Sequence, residues 1–199
     1  TAYVDVSKQF LIQDSASAEE MLKRDIVNAI SDKLEATILG SAAGSATMPA
    51  GIFNGVTAET KDITYKRLVD METALEEANV AGNKCFIVSP SAKGILKTTA
   101  KDALYNVTDG GVHTCVGCAG CLMEENEVNG YPVYCTSNVT SKGVVMGHFE
   151  DFVIGQWGGI DLTVDPYTQA ANGKVRLVIN AYFDAKPRRT GSFQKAILK

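Results

Sequence analysis

His113, Cys115, Cys118 and Cys121 are the residues whose types and spacing come nearest to a chemical site. Cys-x-x-Cys-x-x-Cys opens a bacterial ferredoxin cluster motif, in which thiolates three residues apart reach one metal centre. Gly117 and Gly120 permit the tight turn this needs, and His113 would add a fourth ligand for zinc. The pattern then departs from both metals. An iron–sulfur run continues with a fourth cysteine three residues later, whereas Leu122, Met123, Glu124 and Glu125 follow Cys121. A structural zinc site is built from two separated ligand pairs, and here there is one compact triplet with Cys135 the next cysteine. Small, weakly polar cysteines in a glycine-rich turn are the simpler reading. A small metal or redox protein binding Fe–S or Zn through this cluster stands as the first alternative function.

Other chemical candidates are thinner. The run Gly40, Ser41, Ala42, Ala43, Gly44 follows a helical pattern and carries no lysine, so it reads as a linker rather than a phosphate-binding loop. His148 lies beside Phe149 and Glu150, but no serine or cysteine nearby is marked as a nucleophile. Asp161 and Asp165 fall in a strand pattern and make a poor catalytic pair. Lys186, Arg188 and Arg189 read as a solvated face or a subunit contact, with DNA contact the lesser alternative. Trp157, the only tryptophan, reads as a packing or interface anchor. The expectation is therefore no enzyme and no cofactor.

Composition bounds the rest. The chain has 199 residues, 45% hydrophobic and 21% charged, enough for one or two modest domains with a sizeable core. A net charge of -4 argues against a general nucleic-acid binder, which would show a basic face. No apolar run has the length of a membrane helix, and no signal-peptide pattern opens the chain. Thr1 stands where a Met would, so an upstream segment is expected. Five cysteines, three of them bunched, do not form a secreted disulfide framework and suit synthesis in a reducing cytosol.

The elements that must position these residues follow from periodicity. Residues 3–12 alternate and predict a strand. Ser17 and Glu20 have capping-box spacing, and Leu22, Ile26, Ile30, Leu34 and Ile38 recur every four residues, which predicts a helix over about 18–39. At about 1.5 Å per residue it would be roughly 33 Å long, a spine rather than a local helix. Gly40 is expected to cap it. Residues 41–55 read as a loop. A second helix is predicted over about 62–80, with Leu68, Met71, Leu75 and Ala78 on its buried face. Residues 84–88 read as a buried strand, and Ser89 before Pro90 as the N-cap of a short helix. The signal weakens over 98–130. Strands are then expected at 131–135, 143–146, 152–156, 160–164, 174–184 and 193–198, with Trp157, Gly158 and Gly159 turning one onto the next. The order gives an α+β class with no internal repeat.

Several of these pieces, in order, resemble the tailed-phage major capsid protein family, which has the Hong Kong 97 fold. Residues 5–14 resemble the strand entering that family's spine helix. Residues 19–40, around Asp25, Ile26, Val27 and Asn28, resemble the helix itself. Met48, Pro49, Ala50, Gly51 and Ile52 match the Pro-x-Gly-Ile segment that follows it. Residues 88–97 resemble a strand-to-helix step, residues 130–139 a returning strand, and residues 147–167 the return between domains. The likeness covers nearly the whole chain except 105–128, so it assigns the cysteine cluster no role.

The resemblance implies a Hong Kong 97-like fold with a peripheral domain over 1–61 plus 151–199 and an axial domain over 62–150. It implies a core fragment lacking the family's N-terminal arm and extended loop. It implies a structural subunit of a phage or prophage icosahedral capsid that self-assembles into pentamers and hexamers. The implied partners are other copies, other capsid and portal proteins, and packaged DNA enclosed without specific binding. No membrane partner is implied. The implied location is the virion capsid, after synthesis in the bacterial cytoplasm. An encapsulin-type nanocompartment shell is the second alternative.

Overall fold

The computed structural model describes the backbone of residues 1–13, 15–101, 106–109, 112–115 and 120–199, and side chains outside 11–19 and 102–119. In chain order the elements are β1 (Ala2–Ser7), α1 (Lys8–Gln13), α2 (Ser15–Ile38), α3 (Tyr65–Glu77), β2 (Cys85–Val88) and α4 (Pro90–Thr98). There follow β3 (Asn106–Asp109), β4 (Val112–Cys115), β5 (Glu127–Val128), β6 (Tyr131–Cys135), β7 (Gly143–Gly147), β8 (Phe152–Asp165), β9 (Lys174–Pro187) and β10 (Phe193–Ile197). The class is α+β, as the periodicity predicts.

The chain divides into two compact units. One comprises Thr1–Glu35 and Ile154–Asp184, the other Ala36–Val153 and Ala185–Lys199. The sequence reading placed its divisions at 61/62 and 150/151. These units divide at 35/36, 153/154 and 184/185, because residues 36–61 and 185–199 bond to the second unit's sheet and loops. Ala58 bridges Ile197, and Glu59 N donates to Ile197 O at 2.8 Å.

In the second unit a five-stranded sheet runs in the order β10-β7-β2-β6-β5. It is mixed: β2 pairs parallel with β6 and antiparallel with β7. Every residue of β7 is buried, as expected of a central strand covered on both faces. The core joins Leu68, Met71 and Leu75 of α3 to Phe86, Val144 and Met146 of the sheet, and 16 buried residues form this cluster. Leu68, Met71 and Leu75 are buried as the sequence period selects, whereas Ala78, expected on the same face, is exposed at the cap that follows the helix. Ser89 caps α4 as its position before Pro90 predicts, its Oγ accepting from Ala92 N at 3.2 Å.

In the first unit β1, β9 and β8 form a three-stranded sheet in that order. β1 runs antiparallel to β9, from Ala2 opposite Ile179 to Ser7 opposite Lys174. The strand predicted to reach residue 12 stops at Ser7, whose Oγ accepts from Phe10 N at 3.1 Å and so starts a helix. On α2, Leu22, Ile26, Ile30 and Leu34 are half-buried while most residues off that stripe from 20 to 33 are exposed. The capping box at Ser17 falls on side chains outside the described residues.

Gly40 does not end α2 as a left-handed cap. Its backbone lies outside the positive-φ region, and the loop over 51–53 supplies the partners instead. Ile52 N donates to Ile38 O at 2.7 Å and Phe53 N to Gly40 O at 3.1 Å, satisfying carbonyls that a helix end leaves open. Nor do Trp157, Gly158 and Gly159 reverse the chain. β8 runs through them unbroken, and the reversal comes at 166–173, before β9.

Candidate interaction surface

The cysteine cluster falls largely outside the described residues. The backbones of His113 and Cys115 lie on β4, but their side chains, and all of Cys118, are not described. Cys121 is described and is disulfide-bonded. A sulfur in a disulfide is not the thiolate that a metal requires. The Cys121 N–H donates to Glu124 Oε1 at 3.0 Å, and Gly120 (φ 68°) makes the turn below it. Among the described residues no group of three or more His, Cys, Asp or Glu side chains is placed to hold a metal. Cys85 and Cys135 are free, and burial pushes the Cys85 thiol up, away from reactivity.

The remaining chemical candidates resolve into local structure. His148 Nδ1 lies 2.8 Å from Asn83 O, which makes that nitrogen the donor, and its ring sits over Gly82 (φ 95°). Glu150 is 3.6 Å from the other ring nitrogen. The nearby hydroxyl of Ser192 donates to Asp151 Oδ2 at 2.5 Å and is thereby occupied. Asp165 turns the chain: it accepts from Tyr167 N at 2.8 Å, Thr168 N at 3.1 Å and the Thr168 hydroxyl. The Thr168 hydroxyl, then these amides, hold its carboxyl below the usual range. Asp161 is exposed on β8, Lys186 is exposed near the end of β9, and Arg188 and Arg189 are exposed just beyond it.

A polar cleft in the second unit is lined by Tyr65, Lys101, Glu124, Glu127 and Asn129. Glu124 is already engaged by the Cys121 amide and by Lys101 at 4.0 Å. Glu72 accepts from Tyr131 Oη at 3.0 Å and Asn129 Nδ2 at 3.3 Å, a network that ties α3 to the β5–β6 turn. These contacts position backbone and leave no reacting pair.

What the structure does present is apolar surface. Trp157 is 60% exposed and Val164 56%, and Val153, Ile154, Ile160 and Leu162 along the same strand are exposed too. On the first unit's sheet, Tyr3 and Tyr182 are also open. Arg176 crosses from β9 to β1: its guanidinium donates twice to Asp5, at 2.7 and 2.8 Å, and lies 4.5 Å over the Tyr3 ring. That pairing holds the Asp5 carboxyl below its ordinary range and raises the Arg176 guanidinium. The second unit's start of β8 is fixed differently, by Phe149 and Phe152 meeting Phe193 edge-on at 5.3 and 5.9 Å.

Sequence reasoning found Trp157 but missed the row around it. The signal is the alternation of Ile160, Leu162 and Val164, which the turn expected at Gly158 and Gly159 detaches from Trp157.

Residues 1–196 match the phage capsid family. The chain is 26% identical to the major capsid protein of Halomonas phage phiHAP-1, over 97% of its own length and 31% of that relative's. It therefore spans about a third of the curated relative. Among solved structures it is similar to the capsid of an empty GTA particle (TM-score 0.69, 17% identity, all of this chain and 71% of that one). It is also similar to the SrpI encapsulin of Synechococcus elongatus (TM-score 0.63, 12% identity, 98% and 71%).

Proposed function

This chain belongs to the phage capsid family and has its Hong Kong 97-like fold, and we propose that it is the self-assembling region of an icosahedral capsid subunit. Identical copies join head to tail. Such heterologous contacts close into rings when the rotation permits, and rings of five and six tile a shell. The first unit serves as the peripheral domain and the second as the axial domain.

One observation carries this reading: among its described residues the first unit has almost no interior. Among the described residues, Val6 and Ile179 are its only buried hydrophobic side chains, while the second unit holds the 16-residue core. Among the described residues, the first unit also carries 11 of the 15 large hydrophobic side chains that stand exposed. A soluble monomer seldom shows so much apolar surface in one region, and contiguous patches of this kind mark interfaces. Permanent assemblies have the matching character, with large and apolar contacts.

The rest of the proposal follows from charge and chemistry. A net charge of -4 suits a wall that encloses DNA, because cationic contacts to phosphates would bind it tightly and in a salt-dependent way. No step of catalysis is assigned to any residue. The subunit is made in the bacterial cytoplasm and ends in the virion capsid, beside portal and other capsid proteins. Among the described residues no helix is long and apolar enough to cross a membrane. Sedimentation velocity across a wide concentration range tests the reading. Mass-action growth from monomer to ring-sized species is expected, and a monomer at every concentration overturns it.

A further inference from the structure

We infer that Gly158 forms a bulge that gathers Trp157, Ile160, Leu162 and Val164 onto one face of β8, and that this ridge docks on a second copy of the chain. The inference rests on the assembly reading above and names the surface that performs it. In a regular strand, side chains alternate faces, so Trp157 would share a face with residues 159, 161 and 163. Those are Gly159, Asp161 and Thr163, a polar row. Gly158 has φ 74°, the left-handed conformation that marks the first residue of a glycine bulge. A bulge inserts one extra residue and shifts the alternation by one. Trp157 then falls in line with Ile160, Leu162 and Val164, while Asp161 and Thr163 take the other face. The Trp157 ring also lies across Gly155, two residues earlier on the same face, where an added Cβ would meet it at 2.9 Å.

The geometry says how the ridge is used. β8 is an outer strand of its sheet, with β9 on one side only. An outer strand invites pairing through its backbone, but a bulge breaks the row of donors and acceptors and discourages that. What remains is docking through side chains. The chain as a whole carries more exposed surface than its mass requires. The chain exposes 11939 Å², whereas a folded monomer of 21.2 kDa exposes about 9,000 Å². Treating the two units as separate globules still leaves an excess of about 1,000 Å². One partner's share of a permanent interface is about 1,000–2,500 Å². An aromatic residue amid aliphatic neighbours is the composition of an interface centre. The chain itself offers such apolar surface again on the same unit, which makes another copy the fitting occupant.

Because Trp157 is the only tryptophan, its emission reports on the ridge directly. The test follows acrylamide quenching and sedimentation together as concentration rises. Quenching is expected to fall in step with assembly. Deletion of Gly158, which throws Trp157 out of line, and Val164→Lys are each expected to weaken association about thirtyfold, the loss typical of a central anchor. Far-UV circular dichroism and the urea midpoint of Val164→Lys should match the parent, so that weakened assembly is not misfolding. Assembly with Trp157 still as open to quencher as in the monomer overturns the ridge alone. So does a monomer in which Trp157 is already shielded by its own polypeptide, or a Gly158 deletion that assembles like the parent. No assembly at all overturns both the ridge and the function it rests on.

Discussion

Gly51 lies directly against the backbone of Gly40: a Cβ on Gly51 would fall 2.1 Å from the Gly40 carbonyl oxygen. That approach lets Ile52 N and Phe53 N reach the open carbonyls at the end of α2. Thr140 N adds a third bond, to Leu39 O at 3.2 Å. Gly51→Ala must push backbone against backbone and break this seam. A loss of about 2–4 kcal/mol in unfolding free energy is expected, in the range of the larger single-residue effects. Urea denaturation checks it. A midpoint equal to the parent's would show that the seam tolerates a methyl group.

Core and ridge should respond in opposite ways. Leu75 is fully buried in the second unit, so Leu75→Ala should cost about 2–5 kcal/mol. Leu162 is 42% exposed, so Leu162→Ala should change monomer stability by no more than about 0.5 kcal/mol while weakening assembly. Denaturation at a concentration where the chain is monomeric, paired with sedimentation at high concentration, separates the two effects.

Several elements were legible because local rules and packing agree. The period of Leu68, Met71 and Leu75 is a helix period, and those residues meet the sheet core. Ser89 before Pro90 reads as a cap because the cap is a contact within three residues. The stripe on α2 is real, but sequence could not show that it would stay half-buried. Misreadings came where one residue decides between outcomes. Ser7 ends β1 through a single hydrogen bond, and Gly158 makes a bulge where a glycine pair also suits a turn. The Gly40–Gly51 seam joins residues of two different segments, so no local pattern announces it. Trp157 stands out by residue type, and it is exposed rather than packed in a core, but the row it shares was hidden by the shift in alternation.

Asp5 and Arg176 predict a response to acid. The Asp5 carboxyl is held below its unfolded value by the Arg176 bond. The stabilisation is therefore complete above the ordinary carboxylate value of about 3.9 and is lost as pH falls through the lower folded value. Hydrogen exchange of the β1 amides should accelerate there, relative to the intrinsic rate. Arg176→Gln should produce the same loosening of β1 at neutral pH. β1 protection that is indifferent to both would mean that the ladder with β9 suffices without the ion pair.

The state of Cys121 separates two accounts of the cysteine cluster. Under denaturing conditions without reductant, alkylation should leave Cys121 unlabelled while Cys85 and Cys135, which are free, react. Adding reductant should open Cys121 to label. Labelling of Cys121 without reductant, together with about one zinc or an iron–sulfur cluster per chain, would favour the metal reading.

The most direct measurement is electron microscopy of this protein, purified alone and concentrated. The account predicts rings of five or six copies, or closed shells built from them, with β8 of each copy at a contact. Uniform monomeric particles, or assemblies in which β8 faces open solvent in every copy, would contradict it.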